Sequence, residues 1–165
     1  MTDGDEEFAE FVRTQSRRLT HAAFLLTGDR HLAEDAAQTA LVRTYAAWSR
    51  VRRQDAYAYV RSVLINYLTD RWRRPLREYA TDRVPERPVA DDLAEGVTRR
   101  RWLMQALAVL TPRERAVIVL RHYFDLPEAE VAHELNVSIG TVKSMNARAL
   151  AKLRVHTGQP DGARQ

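Results

Sequence analysis

The sequence contains no cysteine, which excludes a disulfide framework and a cysteine-ligated zinc site. Its five histidines show no metal-ligand spacing, so no metal or other cofactor is expected. No apolar run approaches the roughly 20 residues that a membrane-spanning helix needs. The N-terminus is acidic, unlike the basic start of a secretory signal. These absences lead us to expect a soluble, cytoplasmic protein.

The chain has 165 residues, of which 45% are hydrophobic, and a formal net charge of +4. This length and composition suffice for one hydrophobic core or two small ones. The positive charge permits a polyanionic partner but does not demand one.

The stretch from Pro127 to Arg154 has the pattern of two short helices joined by a tight turn. Pro127 can open the first helix, because its missing N–H would have no intrahelical partner there. Asn136 enters the left-handed conformation easily, so it can end that helix and turn the chain. Ser138 can then cap the second helix. The stretch is therefore predicted to be a helix-turn-helix.

The second helix of this hairpin is basic on its outer side. From Asn136 to Arg154 there are four basic residues and no acidic one. A helix with hydrogen-bonding side chains near its N-terminus and cations outside suits a DNA major groove. The alternative is an ordinary helical hairpin with a solvated basic face, but the spacing of turn and buried residues favours DNA binding. The inward positions of the hairpin are predicted to be Val131, Ala132, Leu135, Val142, Met145, Leu150 and Leu153.

Two helices are predicted at the start of the chain, after a short, frayed, acidic lead-in over residues 1–7. Gly28 ends the first helix and Asp29 caps the second. The outer face of the second helix would by itself be interpreted as solvated. The predicted inward residues of the two helices are Phe8, Phe11, Val12, Leu19, Ala22, Ala23, Leu26, Ala33, Ala36, Ala37, Ala40, Leu41, Tyr45 and Trp48.

A third helix, over residues 56–74, is dense in arginine and aromatic side chains. Between Arg50 and Arg77 there are eight arginines and two aspartates, together with three tyrosines and a tryptophan. Cations interleaved with aromatic rings suit single-stranded nucleic acid, because phosphates need charge and unstacked bases need faces. The alternative is that the aromatics belong to the core, and we expect both. The predicted inward residues are Val60, Val63, Leu64, Tyr67 and Leu68.

The composition changes after Pro75, where six acidic residues accompany prolines and little periodicity. Residues 76–96 are predicted to be a flexible linker between two domains, residues 8–75 and 97–156. Helical periodicity returns in the second domain, where Thr111, Pro112 and Glu114 form a capping-box sequence. The apolar residues predicted to face inward here are Trp102, Leu103, Ala106, Leu107, Leu110, Val117, Ile118 and Leu120.

Three motifs in this order resemble the extracytoplasmic-function (ECF) group of sigma-70 factors, most closely its small actinobacterial members. GDRHLAEDAAQTALVRTY resembles the helix that the family places on the clamp of RNA polymerase. AYVRSVLINYLTDRWRR resembles the segment that melts and reads the promoter minus-ten element. LTPRERAVIVLRHYFDLPEAEVAHELNVSIGTVKS resembles the domain that reads the minus-thirty-five element. The resemblance covers nearly everything from Phe8 to Arg154.

The resemblance assigns expected roles to residues in each motif. It implies that the outer face of the second helix binds polymerase and that Asn66 helps to hold a base flipped from the nontemplate strand. The polymerase contacts predicted on this basis are Asp35, Gln38, Thr39, Val42 and Arg43. Those to the minus-ten element are Tyr59, Arg61, Asn66, Asp70, Arg71, Arg73 and Arg74. Those to the minus-thirty-five element are Ser138, Thr141, Lys143, Ser144 and Arg148.

Three positions depart from the family pattern. Thr39 stands where glutamate is common, Tyr59 where tryptophan is frequent, and Met145 where arginine or glutamine is frequent. The first departure bears on the clamp contact, and the last suggests an altered promoter sequence.

We therefore expect an all-α protein of two small helical domains that acts as a dissociable initiation factor and not as an enzyme. The expected partners are the clamp and flap regions of core RNA polymerase and both double- and single-stranded promoter DNA. An anti-sigma factor is a further candidate partner, the free protein is expected to be a monomer, and no membrane contact is expected. The alternative is an autonomous helix-turn-helix repressor or activator. A nucleic-acid-processing enzyme is disfavoured, because the motifs supply neither a nucleophile with its base nor a carboxylate cluster.

Overall fold

The computed structural model of the chain describes residues 2–74 and 96–158. The chain divides into two compact units, unit 1 from Met1 to Arg74 and unit 2 from Pro75 to Gln165. All regular secondary structure in the described residues is helical, which confirms the predicted all-α class. The predicted linker, residues 76–96, lies outside the described residues except for its last position.

Unit 1 consists of three long helices and two short turns of 3₁₀ helix. Helix α1 covers Asp3–Thr27, α2 covers Arg30–Ala46 and α3 covers Ala56–Arg73. The 3₁₀ turns, Trp48–Arg50 and Arg53–Asp55, connect α2 to α3. Helix α2 packs against both α1 and α3, so it forms the middle of the unit.

The boundary between α1 and α2 follows from two residues that the sequence marks. Gly28 adopts a left-handed conformation with φ 67°, and its N–H donates to the carbonyl of Phe24. Glycine has no Cβ and accepts this conformation without strain. Asp29 then accepts a hydrogen bond from the N–H of Leu32 at 3.1 Å. The predicted end of α1 and the predicted cap of α2 are both confirmed.

A stripe of alanines on α2 forms the centre of the unit 1 core. Ala33, Ala36, Ala37 and Ala40 are all buried. Their small side chains allow the neighbouring helices to approach closely, and larger residues of α1 and α3 fill the remaining space. These larger buried residues are Leu19, Leu25, Leu26, Val60, Leu64, Ile65 and Leu68.

The expected frayed lead-in at the N-terminus is wrong. Helix α1 begins at Asp3, and Thr2 caps it by accepting a hydrogen bond from the N–H of Asp5. The carboxylate of Asp5 in turn accepts a hydrogen bond from the N–H of Thr2 at 2.9 Å, which completes a capping box. Acidic side chains in this first turn also favour the positive end of the helix dipole.

The expected inward orientation of Tyr45 is also wrong, since this side chain is 49% exposed. The position below the alanine stripe belongs instead to Thr44, which is fully buried. Thr44 lies four residues after Ala40, and its hydroxyl donates to the Ala40 carbonyl at 2.8 Å. A polar side chain tolerates burial when its hydroxyl is bonded in this way, so it can occupy the inward position.

Unit 2 contains four helices in the described residues. They are α4 over Gly96–Ala108, α5 over Pro112–Ile118, α6 over Glu128–Leu135 and α7 over Ile139–Thr157. Helix α5 continues directly into a π-helical turn, Val119–Tyr123, that the sequence did not predict. The buried residues of the unit are Ala106, Leu107, Leu110, Glu114, Arg115, Ala116, Val117, Ile118, Val119, Leu120, Leu126, Val131, Ala132, Leu135, Val142 and Ala149.

The apolar face predicted for α4 is correct only in its second half. Ala106, Leu107 and Leu110 are buried, whereas Trp102 is 53% exposed and Leu103 is 40% exposed. Burial therefore begins one helical turn later than the sequence suggested, because helical periodicity marks an apolar face without showing where its packing partner begins.

Candidate nucleic-acid and protein interfaces

The turn between α6 and α7 has the geometry expected of a helix-turn-helix. Asn136 ends α6 in the left-handed conformation, with φ 54° and ψ 49°. The next N–H, that of Val137, donates to the carbonyl of Ala132 at 3.0 Å and satisfies an open helix end. Ser138 then caps α7 by accepting a hydrogen bond from the N–H of Thr141 at 3.1 Å. Both predictions for this turn are confirmed, and Pro127 lies at the cap of α6, one position before the helix.

Helix α7 has one buried and one exposed side. Val142 and Ala149 are fully buried against the rest of unit 2. Lys143, Ser144 and Arg148 lie on the exposed side of successive turns. Three of the five residues predicted to contact the minus-thirty-five element therefore form one accessible surface, which we call the α7 face.

The other two predicted contact residues, Ser138 and Thr141, lie at the start of α7. Their side-chain oxygens are 2.9 Å apart and form a hydrogen bond with each other. The Ser138 oxygen also serves as the cap of the helix. These two hydroxyls therefore have a structural role, and without breaking these bonds the Ser138 hydroxyl can make at most one further contact and the Thr141 hydroxyl at most two.

Lys152 is exposed on α7 and pairs with Glu114 of α5. The Lys152 ammonium is 2.7 Å from Oε1 of Glu114, whose side chain is only 6% exposed. The same Oε1 accepts a hydrogen bond from the N–H of Thr111, within the predicted capping box. The ion pair therefore ties the start of α5 to the second half of α7.

Burial alone would raise the pKa of Glu114, but the hydrogen bonds from Lys152 and Thr111 more than offset this effect and lower it. A carboxyl group with a lowered pKa stabilises the fold above its unfolded pKa and loses that contribution as the pH falls through the folded value. Glu114 is therefore an anion at neutral pH that stabilises the fold, with Lys152 the first of the groups that favour its charged form.

Lys152→Ala is expected to lower the free energy of unfolding by about 1–3 kcal/mol at neutral pH, because it leaves a charged carboxylate buried without its cation. The difference from the wild type should shrink as the pH falls through the folded-state pKa of Glu114, because the carboxyl then becomes protonated. Urea unfolding of the full chain across this pH range measures both effects. Arg148→Ala, which removes an exposed cation from the same helix, should change stability by less than about 0.5 kcal/mol. Equal effects of the two substitutions at neutral pH would contradict this role of Lys152.

Helix α3 brings four of its seven predicted contact residues onto one exposed face. Tyr59, Asn66, Asp70 and Arg73 follow one another at intervals of seven, four and three residues, and all four are exposed. We call this surface the α3 face. Its exposed polar and aromatic groups have the chemistry that unpaired bases require.

The remaining three residues do not join the α3 face. Arg61 and Arg71 lie on the other side of the helix, are partly buried and are engaged in contacts within the protein. Arg74 is exposed at the C-terminal cap of α3. Their predicted DNA contacts are not tested by the structure and stay predictions.

Two of the aromatic residues counted in this segment pack against arginines of neighbouring helices. The guanidinium of Arg18 lies 4.0 Å from the ring centroid of Tyr57, and that of Arg43 lies 5.5 Å from the ring centroid of Tyr67. These distances are those of cation–π pairs. The mixed interpretation of the aromatics, part structural and part exposed, is therefore supported, with Tyr59 as the tyrosine of the α3 face.

Helix α2 places three of the five predicted polymerase contacts on one exposed stripe. Asp35, Gln38 and Val42 are spaced by three and four residues, and Val42 is 68% exposed. We call this stripe the α2 face. Thr39 is half-buried beside it, and Arg43 reaches over Tyr67 of α3 and so lies off the stripe.

Tyr45, which was predicted to face inward, extends the α2 face by one turn. It lies seven residues after Gln38 and three after Val42, and it is half exposed. The seven-residue spacing from Gln38 was the signal that could have found it. An aromatic residue at the end of an exposed stripe is typical of a protein interface.

Among the residues that the structure describes, no cluster of three or more histidine, cysteine, aspartate or glutamate side chains could hold a metal ion. None of their helices is long and apolar enough to cross a membrane.

The helix-turn-helix and the basic α7 face define a DNA-binding protein, and comparison with known families identifies its kind. Residues 11–78 match the family described as sigma-70 region 2, and residues 100–153 match the family described as sigma-70, region 4. The chain therefore belongs to the ECF group of sigma-70 RNA polymerase sigma factors. As a member of this family, it directs promoter-specific initiation of transcription by core RNA polymerase.

Similar proteins support this assignment. The chain is 45% identical over 150 residues to the RNA polymerase sigma-E factor of Streptomyces coelicolor, covering 90% of this chain and 84% of that protein. It is 25% identical to the ECF RNA polymerase sigma factor SigW of Bacillus subtilis, covering 92% and 89% of the two chains.

Two solved structures have a similar fold. The sigma factor RpoE of Bartonella quintana, crystallised with the anti-sigma factor NepR, matches with a TM-score of 0.75 at 19% identity, covering 94% of this chain and 99% of that one. CnrH, in complex with the cytosolic domain of CnrY, matches with a TM-score of 0.62 at 22% identity, covering 93% and 89%.

Proposed function

We propose that the α2 face binds core RNA polymerase, the α3 face captures the unpaired minus-ten strand, and the α7 face reads the minus-thirty-five element. The packing of α2 between α1 and α3 is the main observation that supports this assignment of a partner to each face. A rigid alanine-lined core holds the first two faces in fixed relation, so a protein contact and a DNA contact can be made by the same unit. The domain bounds 8–75 and 97–156 form part of the proposal.

The chemistry of the α3 face supports its assignment to unpaired DNA. The amide of Asn66 offers two donors and one acceptor, which can read the edge of a base. The exposed ring of Tyr59 offers a stacking surface, and Arg73 supplies charge for phosphates, to which Arg74, exposed beside the face at the helix cap, can add. An autonomous repressor or activator, which binds duplex DNA only, would have no use for this combination.

The α7 face supports a direct contact with duplex DNA. Lys143 and Arg148 are exposed cations on a helix whose other side is anchored in the core. Helices held in this way enter the major groove with their N-terminal residues near the base edges. Lys143 approaches Glu128 of α6 at 3.8 Å, a loose and exposed pair that DNA can replace at little cost.

This proposal also assigns the phosphodiester chemistry to the polymerase, and the protein itself is not an enzyme. We place its action in the cytoplasm as a free monomer that exchanges between polymerase molecules. Binding of an anti-sigma factor, as named for one of the similar structures, is also proposed for this chain.

The proposed function is tested by adding the purified protein to core polymerase and mapping transcription start sites across the genome of origin. Start sites that share two upstream elements, and that appear only when both components are present, are expected. Sequence-specific DNA binding without any polymerase-dependent start site would favour the autonomous regulator.

Lys143→Ala is expected to weaken binding to the minus-thirty-five element by about 1–3 kcal/mol at one base position, as expected for loss of a base contact. Competition binding with a set of single-base promoter variants measures this specificity. Arg99→Ala, which removes an exposed cation from α4 in the same unit, should leave the sequence preference unchanged. A loss that is uniform over all sequences would show that Lys143 contacts phosphate.

A further inference from the structure

The first turn of α1 fixes the exposed side chain of Tyr45. The Tyr45 hydroxyl donates a hydrogen bond of 2.6 Å to Oδ1 of Asp5. The tyrosine ring packs against Phe8, with ring centroids 4.9 Å apart. Tyr45 is thus held at its hydroxyl and along one side of its ring, while about half of the side chain remains exposed.

Asp5 is itself held in place by the helix cap. Its other carboxylate oxygen, Oδ2, accepts hydrogen bonds from the N–H and the hydroxyl of Thr2, both at 2.9 Å. The hydrogen bond with Tyr45 lowers the pKa of Asp5 and raises that of Tyr45. At neutral pH the bond therefore joins an ionised carboxylate to a protonated phenol, and such charge-assisted bonds are stronger than neutral ones.

The attachment of α1 to the rest of unit 1 does not depend on this bond. Arg53 pairs with Glu7 at 2.5 Å and lies 4.1 Å from the ring centroid of Trp48. It also donates to the carbonyls of Trp48 and Val51 at 3.0 and 2.9 Å. The buried Trp48 packs against Phe8 and Phe11 of α1. These contacts anchor the start of α1, so the Asp5–Tyr45 bond acts mainly on the tyrosine.

The fixed tyrosine is continuous with the α2 face. Val42, three residues before it, is the most exposed large apolar residue described on α2, and Asp35 and Gln38 precede Val42 on the same stripe. The stripe is thus acidic and polar at its start and apolar at its end. Apolar side chains exposed together mark interaction sites, and rigid aromatic anchors bind well because little of their entropy is lost.

We propose that Tyr45 and Val42 form the apolar anchor of the polymerase-binding face and that Asp5 is a positioning residue for Tyr45. The proposal rests on the assignment of the α2 face to polymerase and names the chemistry of the partner. The polymerase surface would present basic groups opposite Asp35 and an apolar pocket opposite Tyr45.

Affinity for core polymerase, measured with fluorescently labelled full-length protein, tests the proposal. Tyr45→Ala should weaken binding by about tenfold or more, as expected for loss of an interface anchor. Tyr45→Phe keeps the ring but removes the hydroxyl, and Asp5→Ala removes the acceptor; each should weaken binding by roughly threefold. The double variant should be no weaker than either one, because both substitutions break the same bond.

Two control variants separate positioning from a general loosening of α1. Glu7→Ala breaks the neighbouring ion pair with Arg53, and Thr2→Ala removes the side-chain cap, while both leave the acceptor of Tyr45 in place. Glu7→Ala should leave the affinity for polymerase unchanged, and Thr2→Ala, which keeps the backbone N–H bond to Asp5, should lower it by less than Asp5→Ala does. A loss in these controls equal to that in Asp5→Ala would overturn the positioning role, as would full additivity of the losses in the double variant.

The test also separates this inference from the proposed function. Wild-type affinity of Tyr45→Ala, together with weak binding by a variant reversed in charge at Asp35, would overturn the anchor and leave the polymerase-binding face intact. Absence of any binding by the wild-type protein would overturn the proposed function itself.

Discussion

Asp35→Arg is expected to weaken binding to core RNA polymerase by about tenfold or more, roughly 1.4 kcal/mol, while leaving the fold unchanged. Asp35 is exposed on the α2 face, two residues from the buried Ala37. Reversing its charge places a cation where the partner is proposed to present basic groups, and like charges brought together at an interface are costly. Co-purification and titration with core enzyme measure the loss.

The control substitution makes the same change of charge at a position outside the α2 face. Glu10→Arg alters an exposed residue of α1. Among the residues described, Glu10 forms an ion pair with Arg13, three positions along the helix. Exposed pairs of this kind contribute at most about 1 kcal/mol to stability. Unchanged polymerase binding by Asp35→Arg, with an unchanged melting curve, would remove Asp35 from the interface.

The parts of the fold that could be predicted from the sequence depend on interactions over a few residues. Several helix ends are formed by residues that bond to a backbone group within four positions, so their residue types predict those ends. These residues are Gly28, Asp29, Asn136 and Ser138. The capping box at Thr111 is of the same kind. Such signals do not depend on the tertiary structure, because a helix end must satisfy its backbone groups locally.

The contacts that could not be predicted join side chains that are distant in sequence. Tyr45 bonds to Asp5, forty residues earlier, and Lys152 bonds to Glu114, thirty-eight residues earlier. Periodicity shows on which side of a helix a residue lies but not what faces that side. It therefore placed Tyr45 in the core and gave no sign of the ion pair between the exposed Lys152 and Glu114.

The predicted site residues also divide into those that local periodicity groups and those whose contacts depend on helix packing. Periodicity alone would group Tyr59, Asn66, Asp70 and Arg73, and the structure places them on one exposed face. The contact of Arg43 with Tyr67 required knowledge of how α2 and α3 pack. The resemblance to sigma factors supplied the expected roles, and the structure adds which of the residues are accessible to carry them out.

Asn66→Ala is expected to have its largest effect on promoter opening. Loss of the amide removes the base contact that is proposed to form only after strand separation, so stability of the open complex should fall by about 2 kcal/mol, roughly 30-fold. Binding to core polymerase and to the minus-thirty-five element should remain close to that of the wild type, because the α2 and α7 faces are unaltered. Templates already melted around the start site should show a smaller defect, since part of the cost of unpairing has been removed.

Permanganate reactivity of thymines in the transcription bubble reports this effect directly. Gln54→Ala, an exposed polar residue in the 3₁₀ turn before α3, is the matched control and should react like the wild type. The contrast between the variants on duplex and pre-melted promoters separates capture of a base from a general weakening of DNA binding, because only base capture depends on the unpaired state. Wild-type reactivity of Asn66→Ala on duplex promoters would show that the amide is merely solvated, and the α3 face would then have to bind DNA through Tyr59 and Arg73 alone.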